Sequence, residues 1–107
     1  MSEPPTSFVP YQVSYTELVR NELRALAARA KARGLGREVY EALDAIDRQL
    51  RTYPQFGEPL RDLKIGAAQL CIATVPPLVV RYVLNEDRRL VIVAIPIQPL
   101  PNSGLDP

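Results

Sequence analysis

The chain contains no histidine. That absence removes the commonest general base near neutral pH, the commonest metal ligand and every Ser-His or Cys-His nucleophile pair. Cysteine occurs once, as Cys71 in the apolar stretch Leu70-Cys71-Ile72, which excludes an internal disulfide and a thiolate zinc site and predicts a buried small hydrophobe in a reducing compartment. No apolar run approaches the roughly 18 to 20 residues needed to span a bilayer, so no membrane association is expected. The start, Met1-Ser2-Glu3-Pro4-Pro5, is acidic and Pro-rich where a signal peptide is basic and then apolar, so the expected location is the cytoplasm. Charge of one sign is also missing: 13 basic residues face 12 acidic ones, and this balance does not announce a nucleic-acid binder. Arg nevertheless far outnumbers Lys, and Arg is the side chain suited to bidentate grip of phosphate or carboxylate. There is no Gly-rich phosphate loop, no metal-ligand cluster and no nucleophile with a base, so neither cofactor nor metal is expected.

With 107 residues there is volume for one core and no room for a separate cofactor domain, which predicts a single domain over residues 1–107. Residues 1–10 and 98–107 are Pro-rich and aperiodic, and read as tails or edge-covering segments. Between them, Tyr11, Val13 and Tyr15 alternate with Gln12 and Ser14, the period of a half-buried strand. Thr16 is a helix N-cap candidate followed by Glu17, and Val19, Leu23, Leu26, Ala27 and Ala30 form an apolar face up to a Gly34 stop, giving a helix over about 16–33. Val39, Leu43, Ile46, Leu50 and Tyr53 mark a second helix that Pro54 ends, so the two make a helical hairpin. Asp44 with Arg48, and Asp47 with Arg51, stand one turn apart in the favourable acid-before-base order on a solvated face. Residues 55–66 carry Gly57, Pro59 and Gly66 and read as a packed loop anchored by Phe56, Leu60 and Leu63. Three antiparallel strands are expected after it, over 69–75, 78–85 and 88–97, with Pro76-Pro77 between the first two and an Asn85-Glu86-Asp87 turn between the last two. The class is α+β.

Parity divides the middle strand. Leu78, Val80, Tyr82 and Leu84 make the better core face, which sends Val79, Arg81, Val83 and Asn85 to the other side. Arg81 is therefore the leading site candidate, either as a substrate- or partner-binding group or as a structural partner of Glu58 or Asp62. Arg61 and Lys64, just before the sheet, are further candidates that also read as ordinary solvated side chains. Arg88 and Arg89 follow the acidic turn and are expected to serve the hairpin.

The segments PQFGEPLRDLKIGAAQL (54–70) and PPLVVRYVLNEDRRLVIVAI (76–95), with Arg81-Tyr82 and the Asn85-Glu86-Asp87 turn, resemble the second half of RelE/ParE-superfamily toxins. The resemblance runs from about Tyr11 to Ile97. It implies two helices covering one face of a four-stranded sheet, with the other, concave face as the working surface. It also implies an antitoxin protein as partner, and as target either the ribosome with its mRNA, cleaved by attack of the 2′-hydroxyl on the next phosphate, or DNA gyrase, inhibited by binding. Under that resemblance Arg81, two residues on from where family members commonly carry a strand arginine, is the candidate catalytic residue, while Arg61, Lys64, Val79, Arg81 and Val83 contact substrate or partner.

RNA cleavage needs a group to take the 2′-proton, one to neutralise the phosphorane and one to protonate the leaving oxygen. The strand Gln69–Val75 carries no charge, and after the last strand the chain reads Ile95-Pro96-Ile97-Gln98-Pro99-Leu100-Pro101 where toxic members often have a basic residue and a Tyr or His. Two functions therefore stand side by side. One is the toxin of a type II toxin–antitoxin pair acting on translation or gyrase. The other is a non-catalytic interaction module of the same fold, whose apolar concave face of Val79, Val83, Val91, Val93 and Ile95 docks a partner helix or a second copy as a homodimer.

Overall fold

Thr16 separates the first strand, β1 (Gln12–Tyr15), from the first helix, α1 (Glu17–Ala32), in the computed structural model. The structure describes residues 9–105, with the backbone alone for residues 61–65. The Thr16 hydroxyl accepts a 3.3 Å hydrogen bond from the Val19 amide, and Glu17 sits in the first turn, where the helix dipole favours a carboxylate. At the other end Gly34 adopts a φ of 76°, a left-handed turn that lets the chain reverse into the second helix, α2 (Gly36–Thr52). Val19, Leu26 and Ala30 of α1 and Val39, Ala42, Ile46 and Leu50 of α2 are buried, with Leu23 and Leu43 half-buried beside them. Two expected members of these faces are exposed instead. Ala27 lies at the margin of the α1 stripe, and Tyr53 has already left the helix, with φ −151° and ψ 69°, and is 58% exposed.

After a single 3-10 turn at Pro54–Phe56 the chain forms five more strands: β2 (Glu58–Ile65), β3 (Ala68–Val75), β4 (Leu78–Asn85), β5 (Leu90–Val93) and β6 (Gln98–Pro99). They build one sheet in the order β1-β5-β4-β3-β2, with β6 on β4, so the sheet has six strands where four were expected. β1 runs parallel to β5, and the other pairs are antiparallel. Residues 58–65, expected as loop, are the edge strand β2. Proline is tolerated at a sheet edge, and the register shift between Pro59 and Lys64 breaks the alternation by which a strand is recognised.

The last expected strand, 88–97, is also corrected. β5 ends at Val93, and β6 resumes beside β4 with Pro99 opposite Leu78, where the β5 register would have brought Ile97. The surplus chain loops out around Pro96, which cannot donate to a ladder, and Ile97 turns into the core at 5% exposure. The C-terminal segment then behaves as a cover. Leu100 N–H donates to the Pro77 carbonyl at 2.8 Å, Leu105 is fully buried, and Arg29 Nε and Arg33 Nη1 each donate at 3.0 Å, to the Leu105 and Gly104 carbonyls.

The helices lie on one face of the sheet and bury Cys71 and Ala73 of β3, Leu78, Val80, Tyr82 and Leu84 of β4, and Val91 and Val93 of β5. No helix among the described residues is long and apolar enough to cross a membrane.

Candidate functional site on the outer sheet face

Strand β4 alternates buried and half-buried residues along its whole length, which puts Val79, Arg81, Val83 and Asn85 on the face away from the helices. Tyr82 fixes this register. Its hydroxyl, on the core side, donates to the Pro54 carbonyl at 2.6 Å and accepts from the Gly57 amide at 3.1 Å, while Phe56 stacks on its ring at 6.1 Å between centroids. A slip of one residue would bury Arg81 and expel Tyr82, so the tyrosine network holds the arginine outward. Burial raises the Tyr82 pKa, with the nearby Cys71 adding to the effect and the Gly57 amide opposing it. Burial likewise raises the Cys71 thiol, reinforced by Glu86, so the only cysteine is a packed, unreactive group.

Cross-strand pairing sets the neighbours of Arg81. Glu58, Ile72 and Arg81 form one row across β2, β3 and β4, and Leu70, Val83, Ile92 and Ser14 form the next across β3, β4, β5 and β1. Val79 lies between Thr74 and Gln98 at one end, and Asn85 between Ala68 and Leu90 at the other. Arg81 is thus a half-buried cation set among half-buried Ile72, Val79 and Val83. Among the described residues the ion pairs are Asp44–Arg48 at 2.8 Å and Asp47–Arg51 at 2.9 Å, so Glu58 does not pair with Arg81. Asp62, the other structural partner considered, has its side chain outside the described residues, as do Arg61 and Lys64. The backbones of Arg61 and Lys64 belong to edge strand β2, on the far side of β3 from Arg81, with Lys64 opposite Gln69.

The apolar members of this face differ from those expected. Val91 and Val93 are fully buried under the helices, and Leu90 and Ile92 replace them outside. The cause is the turn. It spans Glu86–Arg89 rather than Asn85–Asp87, pairs Asn85 with Leu90, and closes on Arg89 at φ 49°, so every side chain of β5 changes face. The Asn85 side chain accepts from the Arg88 amide at 3.1 Å to hold the turn. Arg89 ties it to the N-terminal segment: Nε donates to the Val9 carbonyl at 3.0 Å, Nη2 donates to the same oxygen, and the guanidinium carbon lies 4.2 Å from the Tyr11 ring centroid.

The five tyrosines are all accounted for, and none lies on the outer face. Tyr11 and Tyr82 are buried, Tyr15 donates a 2.6 Å hydrogen bond to Asp47 on the helix side, and Tyr40 and Tyr53 belong to α2 and its end. With no histidine in the chain, Arg81 has neither of the usual proton-transfer partners beside it. The arrangement can grip a phosphate or carboxylate and bury an apolar surface around it.

No protein-family model matches the chain, and no curated protein matches it in sequence. Solved structures do match. The RelE–RelB complex of the archaeon Pyrococcus horikoshii aligns with a TM-score of 0.62 at 18% identity, covering 86% of this chain and 97% of the other. The RelBE2 toxin–antitoxin complex of Mycobacterium tuberculosis aligns with a TM-score of 0.62 at 19% identity, covering 87% and 94% respectively. The chain therefore has the fold found in these complexes, as the segments 54–70 and 76–95 implied.

Proposed function

We propose that this chain is the toxin component of a toxin–antitoxin pair, held by an antitoxin protein and acting in the cytoplasm on translation or on DNA gyrase through the outer sheet face. The observation that carries the reading is the fold. It extends over nearly the whole of chains taken from RelE–RelB and toxin–antitoxin complexes, and those solved assemblies pair the fold with an antitoxin-type protein. Arg81 is the central contact, flanked by Val79 and Val83, with Arg61 and Lys64 of the edge strand as further contacts. Action by binding rather than by RNA cleavage is favoured, because no tyrosine or histidine accompanies Arg81.

Cell-free translation and gyrase supercoiling assays with the pure protein test this directly. One of the two is expected to be inhibited without new breaks in the mRNA, and Arg81→Ala is expected to weaken inhibition at least tenfold, more than Lys64→Ala does. Inhibition of neither, or equal effects of the two variants, would refute the assignment of Arg81. A second reading rests on the run of half-buried Leu70, Ile72, Val83, Leu90 and Ile92: the same face serves as a non-catalytic docking surface, for a partner or for a second copy. Inactivity in both assays together with self-association sensitive to Val83→Asp would favour it.

A further inference from the structure

A groove of about 510 Å³ opens on the helix side of the sheet, between α2 and the turn that joins β3 to β4. Ala42 and Ala45 form one wall, Val75 and Pro77 the other, and Leu35 closes one end. The two alanines keep the α2 wall low, so the groove has the depth to receive a large side chain. Its lip is acidic. Glu38 and Glu41 stand three residues apart on α2, both exposed.

No cation within the described residues answers these carboxylates. Arg48 and Arg51 are engaged by Asp44 and Asp47, Arg29 and Arg33 donate to the C-terminal carbonyls, and Arg37 forms no ion pair with Glu41 although it lies one turn away. An apolar slot with an uncompensated negative lip selects a ligand that is apolar and cationic at once. We infer that this groove docks a segment of a partner protein that places one large aliphatic or aromatic side chain between Ala45 and Pro77 and a Lys or Arg against Glu38 and Glu41. The groove faces away from Arg81, so a partner held here leaves the outer sheet face open. The inference is independent of the toxin reading.

The test uses the full-length chain, labelled with nitrogen-15, titrated with a capped alanine-based peptide carrying Leu and Arg one helical turn apart. Saturable shifts of the Ala42, Ala45, Val75 and Ser103 amides are expected, weakened at least tenfold by replacing Arg with Glu or Leu with Ser in the peptide. On the protein, the double change Glu38→Gln and Glu41→Gln is expected to weaken binding to a similar degree. Ala45→Met, which fills the slot from within, is expected to abolish it, with neither variant lowering the melting temperature. Absence of saturable shifts up to millimolar peptide, shifts indifferent to the peptide changes, or shifts centred on Val83 and Ile92 would overturn the inference.

Discussion

Gly57 has no room for a side chain: a Cβ there would run into the Tyr82 hydroxyl and lie 2.9 Å from the Ile72 carbonyl oxygen. Gly57→Ala is therefore expected to destabilise the fold by about 1–3 kcal/mol, the range in which overpacking falls. Tyr82→Phe should cost a similar ~1–3 kcal/mol by leaving the Pro54 carbonyl and Gly57 amide without their shared partner. Urea melts of both variants check these values. A second cluster gives a pH signature. Burial opposes ionisation of Asp47, but hydrogen bonds from Arg51 and Tyr15 outweigh it and hold the carboxyl below its usual range. A lowered carboxylate pKa contributes stability that is present above about pH 4 and is lost as pH falls through the folded value. The contribution is modest, because the Asp47 side chain is 39% exposed and solvent screens the pair. Burial, then the bond to Asp47, raises the Tyr15 pKa, so its contribution is whole below about pH 10 and decays above that value. Melting temperature against pH should thus fall at both ends, with Asp47→Asn reducing the acid limb and Tyr15→Phe reducing the alkaline limb, to which the raised pKa values of Tyr82 and Cys71 also contribute. At this scale the outward placement of Arg81 was legible, because the alternation from Leu78 to Asn85 is unbroken. The surroundings of Tyr82 were not, since its partners Pro54 and Gly57 are remote in sequence and bond through backbone atoms that composition does not reveal.

Helix α2 is held to the sheet by its buried stripe, and the depth of each residue in that stripe sets its weight. Leu50 is fully buried and Leu43 only half-buried. Leu50→Ala is expected to cost about 2–5 kcal/mol and Leu43→Ala less than half as much, measured by urea denaturation. The exposed pairs Asp44–Arg48 and Asp47–Arg51 form as their spacing implied and contribute a few tenths of a kcal/mol each. Both helices were legible because stops and apolar period agree, with the Thr16 cap as a further start signal for α1. Strand β2 was not, since Gly57 and Pro59 read as breakers and its register shift interrupts the period of two. The faces of β5 were misread for want of one turn residue, and its early end was signalled only by Pro96. The parallel pairing of β1 with β5 joins segments about 80 residues apart and leaves no local trace.

On the scale of the whole molecule the sheet divides two surfaces of different character. On the helix side the hairpin and the C-terminal segment cover the sheet and leave the acid-lipped groove and a cleft between α1 and residues 96–101, while the outer side presents Arg81 within an apolar field. The α+β class was legible from the periodicity of the two helices and the strands, and the RelE-like fold from segments 54–70 and 76–95. The apolar character of the outer face was legible too, but the β5 residues that supply it are Leu90 and Ile92 rather than Val91 and Val93. Growth of bacteria after tightly controlled induction of this chain tests the proposed role of the outer face most directly, with Arg81→Ala and Val83→Asp induced in parallel at matched soluble levels. Arrest by the parent chain and growth with either variant is the predicted result. Unimpeded growth with the parent, or arrest that both variants leave intact, would contradict it.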